Sequence, residues 1–186
     1  MTITKQTGAL ADDMRARLAE PFGSFPAILR AWAAGQPDKP ALIDDRGTLC
    51  WGELVDRVER LAARLIETGL ERGQSVAILG TSTIDYAVVF LAAMRAGGVA
   101  APLTTSASRE QLQGMVADSG ARHLFIDAAK AAELGADFAP GLDHVRLEEA
   151  QQWMAPAGTT APDFDPEQTD PFNIIYSSGT TGIPKG

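Results

Sequence analysis

A chain of 186 residues, 45% apolar and 22% charged, can bury a real core, which excludes a disordered tail and a metal- or disulfide-stapled miniprotein. Its 24 acidic residues outnumber the 16 basic ones, and the net charge of −8 repels phosphate backbones, so no nucleic acid partner is expected. A local basic loop could still hold a nucleotide.

Weak helical periodicity over 9–20 is followed by Ser24, an N-cap residue, ahead of a helix that starts at Phe25 and stops near Gly35 and Pro37. Two apolar runs, 41–44 and 48–51, flank Asp45-Arg46-Gly47 and read as a small N-terminal hairpin. The hairpin carries the only cysteine, Cys50, which cannot close an internal disulfide and reads as a small core residue. With no signal-peptide pattern at the polar N-terminus, the expected location is cytoplasmic. Over 51–68, Leu54, Val58, Leu61 and Leu65 recur at helical spacing and make one apolar stripe. The stretch 75–79, Ser-Val-Ala-Ile-Leu, is a strand covered on both faces.

A helix over 84–96 follows, and its run Tyr86 to Met94 falls far short of the ~20 apolar residues that cross a bilayer, so no transmembrane segment is expected. Further strands are predicted at 99–103, 123–127 and 145–147, separated by helices over 109–118 and 128–134. That alternation predicts an α/β fold, a mainly parallel sheet flanked by helices and joined by right-handed crossovers. Residues 1–154 are expected to form this unit, 155–171 a Pro- and Gly-containing linker, and 172–186 a short strand and loop opening a further subdomain.

The loop carries the chemistry. Ser177-Ser178-Gly179-Thr180-Thr181-Gly182-Ile183-Pro184-Lys185-Gly186 combines unhindered backbone N–H groups, hydroxyl donors and one cation, the groups that a triphosphate needs. It is not the nucleoside-triphosphate loop G-x-x-x-x-G-K-[ST]. Counted from Gly179, Lys185 falls in place, but Pro184 supplies no N–H and Gly186 replaces the metal-binding hydroxyl.

With Tyr176 in front, these eleven residues resemble the phosphate-binding signature of the adenylate-forming (AMP-binding) superfamily, which includes acyl- and aryl-CoA synthetases and peptide-synthetase adenylation domains. Two upstream segments agree in order and spacing: residues 48–54, with Trp51 where Tyr is usual, and residues 94–103, which resemble the family's Ala-Gly-Gly…Pro-Leu motif. The resemblance spans about residues 25–186. It implies a ligase that joins a small-molecule carboxylic acid to ATP, releases pyrophosphate, and passes the acyl group to CoA, with Mg²⁺ as the metal. It also implies that Ser177, Ser178, Gly179, Thr180, Thr181, Gly182 and Lys185 hold the phosphates, and that the catalytic residues and metal ligands lie outside this chain. By the same resemblance the chain is an N-terminal portion, and alone it is expected to make no acyl-adenylate. The loop is expected to be mobile there.

Other residues carry blander readings. His123 and His144 lie far apart without cysteine partners and are expected at a strand edge or surface, not at a metal. Asp12-Asp13, Asp44-Asp45 and Glu148-Glu149 read as solvated pairs. Two further hypotheses stand beside the CoA ligase: a peptide-synthetase-type adenylation fragment, and a non-catalytic α/β module with a vestigial loop. The acid substrate and the oligomeric state have no signature in the sequence.

Overall fold

A computed structural model of the chain describes residues 2–20, 23–177 and 186. Two helices lead in, α1 (Thr2–Leu18) and α2 (Phe25–Gly35). The Ser24 hydroxyl caps α2 by accepting from the Ala27 N–H, as its position ahead of the apolar run predicts. A hairpin of β1 (Pro40–Asp44) and β2 (Gly47–Cys50) follows, its turn closed by the Asp44 carboxylate, which accepts from the N–H groups of Arg46 and Gly47.

The chain passes straight from β2 into α3 (Trp51–Glu67). Cys50 is the half-buried N-cap of this helix rather than a core residue. Its N–H donates to the Glu53 carboxylate at 2.9 Å, and its thiol lies 3.3 Å from the Asp38 carbonyl. Trp51 stacks on Trp32 of α2 with ring centroids 5.5 Å apart, which fastens the lead-in to the body.

The body alternates β3 (Ser75–Leu79), α4 (Ile84–Arg95), β4 (Val99–Leu103), α5 (Arg109–Ser119), β5 (Ala121–Ile126), α6 (Ala128–Leu134) and β6 (Asp143–Arg146). A 3₁₀ turn and the short α7 (Ala150–Trp153) follow. The four strands are parallel in the order β4-β3-β5-β6. All five residues of β3 are buried, because α3, α4 and α7 cover one face of the sheet and α5 and α6 the other. Leu54, Val58, Leu61 and Leu65 of α3 pack on the first face with Val76, Ile78 and Phe125. Each such leucine contributes roughly 1.5–3 kcal/mol by leaving water. Leu112 and Met115 of α5 pack on the second face with Ala77, Leu79 and Leu124.

Three expectations shift. The last strand lies at Asp143–Arg146, because pairing with β5 sets its register and Leu147 turns into the 3₁₀ helix. The stretch 172–176 makes one parallel bridge, Asn173 to Ala100, instead of a full strand. His123 is wholly buried in β5, neither at an edge nor on the surface. Its Nε2 lies 2.8 Å from the Thr68 hydroxyl at the end of α3, and its ring meets Trp153 edge-on.

Residues 155–171 carry no helix or strand but are tied to the body. Arg95, 2% exposed at the end of α4, donates from Nε to Glu59 of α3 at 2.8 Å and from both terminal nitrogens to the carbonyls of Ala161 and Pro162 at 2.9 Å. Glu59 accepts in turn from the Ala161 N–H. Farther along, Arg72 pairs with Asp170 at 2.7 Å, and the Phe164 ring lies over Gly97.

Candidate phosphate-binding loop and its stem

Ligands of open parallel sheets usually sit beyond the carboxyl ends of the strands, where successive connections leave in opposite directions. Here that point lies between β3 and β5, since α4 leaves on one face and α6 on the other. The crevice is closed. Asp127 caps α6 with one carboxylate oxygen, at 2.7 Å from the Lys130 N, and with the other accepts from the Thr81 N–H at 2.9 Å. Gly80 fits beneath because it has no side chain: a Cβ there would stand 2.7 Å from Leu147 Cδ1 and 2.9 Å from Asp127 Oδ2. The remaining cleft of about 170 Å³ is lined by Asp85, Asp127 and Glu148 as well as Arg46, too small and too acidic for a triphosphate.

The free edge of β4 provides another place at the same end of the sheet. Ala100 donates to the Phe172 carbonyl at 3.0 Å and accepts from the Ile174 N–H at 2.8 Å. The bridged segment therefore runs parallel to β4 and delivers Tyr176 and Ser177 at its carboxyl end. Tyr176 turns inward onto the second core cluster, and its hydroxyl reaches α5, 2.9 Å from the Met115 carbonyl and 3.0 Å from the Asp118 carboxylate. Burial and then the hydrogen bond to Asp118 push this phenol up to about 12, so it stays a protonated donor at physiological pH.

Ser177 is exposed at the mouth of the loop. Among the predicted phosphate ligands it alone is described; Ser178, Gly179, Thr180, Thr181, Gly182 and Lys185, and with them the expected loop mobility, lie outside the described residues. The loop's far end is visible at Gly186. A Cβ at this position would stand 2.6 Å from Ile174 Cγ2 and 2.9 Å from Tyr176 Cε1, so the chain returns against the residues from which it left, and only glycine allows that approach. The described residues include no group of three or more His, Cys, Asp or Glu suited to a metal. No described helix is long and apolar enough to cross a membrane.

Residues 29–186 match the family model described as AMP-binding enzyme. The chain belongs to this family. It is 32% identical over 172 residues to a 4-hydroxybenzoate–CoA/benzoate–CoA ligase of Rhodopseudomonas palustris, covering 83% of this chain and 30% of the ligase. It is 30% identical over 173 residues to a probable non-canonical nonribosomal peptide synthetase, CymA, of Salinispora arenicola, covering 88% of this chain and 2% of the synthetase. A crystal structure of a benzoate CoA ligase from Burkholderia xenovorans superposes with a TM-score of 0.70 at 26% identity, covering 89% of this chain and 34% of the ligase. The chain thus spans about a third or less of these relatives. AMP-binding relatives of both kinds, CoA ligases and peptide synthetases, match it about equally well.

The sequence singled out the loop and missed what holds it. Tyr176 stands inside the motif, yet its partners on α5 lie 61 and 58 residues away and leave no local trace. Arg95 had a usable signal, a lone charge in the apolar run that ends α4.

Proposed function

We propose that this chain forms the N-terminal subdomain and phosphate-binding loop of a cytoplasmic, ATP-dependent acyl- or aryl-CoA synthetase. The observation that carries the reading is the stem at the β4 edge, where a side chain fixed to α5 and a glycine packed against it bring both ends of a motif rich in donors to one point. The match to the AMP-binding family along 29–186 supports it. Ser177, Ser178, Gly179, Thr180, Thr181 and Gly182 donate to the β- and γ-phosphates, and Lys185 balances the charge of the departing pyrophosphate. A carboxylate oxygen of the acid bonds to the α-phosphorus as the bond to pyrophosphate breaks. The CoA thiolate then bonds to the acyl carbon, and AMP leaves. The chain supplies no nucleophile, only position and charge. Mg²⁺, held by residues outside those described, would shield the charge of the triphosphate.

The peptide-synthetase match favours a second reading in which the acceptor is the thiol of a carrier domain. ATP–pyrophosphate exchange by the complete protein that carries this chain, with a panel of aliphatic and aromatic acids, tests adenylation. Subsequent transfer to CoA or to a carrier domain separates the two acceptors. Lys185→Ala is expected to lower kcat/KM for exchange by about tenfold or more, as for one lost electrostatic contact. An unchanged value removes Lys185 from the site, and no exchange with any acid leaves the non-catalytic module.

A further inference from the structure

We infer that Tyr176 is the positioning residue of the phosphate-binding loop, setting the separation of the loop's two ends through its fixed place on α5. The inference rests on the function proposed above. Four observations converge on this side chain. Its backbone is held in register with β4 by the hydrogen bonds on either side of the Asn173–Ala100 bridge. Its hydroxyl is anchored to the Met115 carbonyl and the Asp118 carboxylate. Its ring belongs to the core cluster that contains Leu103, Leu112 and Met115. The hydroxyl-bearing end of that ring, at Cε1 and Cζ, is the surface against which Gly186 lies.

One rigid aromatic ring therefore stands between the point where the loop leaves the sheet and the point where it returns. A loop bound at one end only must spend contact energy on ordering itself when it takes up a polyanion, and a stem of fixed width removes part of that cost. The hydroxyl is the element that fixes the ring, because its one proton is shared between two acceptors, the Met115 carbonyl and the Asp118 carboxylate, and both are carried by α5. Without it, the ring stays in the apolar cluster but is free to slide along the helix, and the return point at Gly186 shifts with it. Tyr176 does not touch the phosphates in this arrangement; it acts on them through Ser177 and Gly186.

The test is Tyr176→Phe in the complete protein, which keeps the ring and removes the anchor. The KM for ATP is expected to rise by about tenfold, the scale of one lost hydrogen bond to a charged group, while kcat and the KM for the acid stay within about twofold. Amide hydrogen exchange at Ser177 and Gly186 is expected to quicken, with β3 and β5 unchanged. An unaltered KM for ATP in an enzyme whose wild type is active overturns the inference, as does a loss confined to kcat and thermal stability. Absence of exchange activity in the wild type sinks the proposed function instead, and the amide measurement still decides on the anchor: equal protection of Ser177 and Gly186 in the two proteins overturns it.

Discussion

A neutral imidazole buried in a parallel sheet makes stability depend on pH. His123 has no exposed surface, and its Nδ1 has no hydrogen-bond partner among the described residues. Burial pushes its pKa below the ordinary 6.5; Asp143, 3.7 Å from Nε2, opposes that shift and Arg122 adds to it, but desolvation dominates. The folded value is depressed, so stability is complete above 6.5, where both folded and unfolded chains carry neutral rings. Below that the unfolded chain takes up a proton that the folded one refuses, and stability falls as pH drops from 6.5 toward the depressed value. Urea midpoints measured from pH 7.5 to 5 should therefore decline, and His123→Leu should flatten the decline. His144, the other histidine, is exposed and provides the control; a slope that persists in His123→Leu would assign the effect elsewhere.

At the scale of elements, two glycines separate close approach from mere conformational freedom. Gly98 joins α4 to β4, and a Cβ there would stand 3.0 Å from the Gln74 carbonyl and 3.2 Å from the Ala93 carbonyl, backbone oxygens that cannot swing aside. Gly114, inside α5, would meet nothing within 4 Å. Gly98→Ala should cost about 1–3 kcal/mol by overpacking, whereas Gly114→Ala should stabilise by roughly 0.5–1 kcal/mol through helix propensity. Chemical denaturation of both variants checks this, and equal effects would contradict it. The same distinction explains what the sequence made legible. The stripe of α3 and the continuous run of β3 each report burial by their own spacing, so both elements lie where periodicity predicts them. The register of β6 and the bridge at Asn173 depend on partner strands, and periodicity carries no information about partners. The burial of His123 depends on Thr68 and Trp153, brought close only by folding. The hydroxyl- and glycine-rich stretch 177–186 stands out by composition alone, whereas the anchor of Tyr176 on α5 leaves no local trace.

At the scale of the whole molecule, the buried Arg95–Glu59 pair ties α3, α4 and the stretch after Met154 into one body. Four hydrogen bonds converge there, two of them to the carbonyls of Ala161 and Pro162. Removing Arg95 leaves the buried Glu59 carboxylate with only the half-exposed Arg30, 3.7 Å away, at a cost of up to about 3–5 kcal/mol. Arg95→Met should show this loss in urea denaturation, and Arg95→Met combined with Glu59→Met should recover part of it; a double variant weaker than the single by a full additive step would mean that the pair is not coupled. The strand order β4-β3-β5-β6 has a consequence of another kind. On a nascent chain, β3 can pair with β4 once residue 103 has emerged, but its other edge waits for β5, which lies beyond α5 in sequence. During that interval an apolar strand presents an unpaired row of backbone donors and acceptors, the condition in which chains join edge to edge. Synthesis is thus most exposed to aggregation between β4 and β5, and a pause there would favour misassembly, whereas a pause after Ile126 would find the centre of the sheet already paired on both sides.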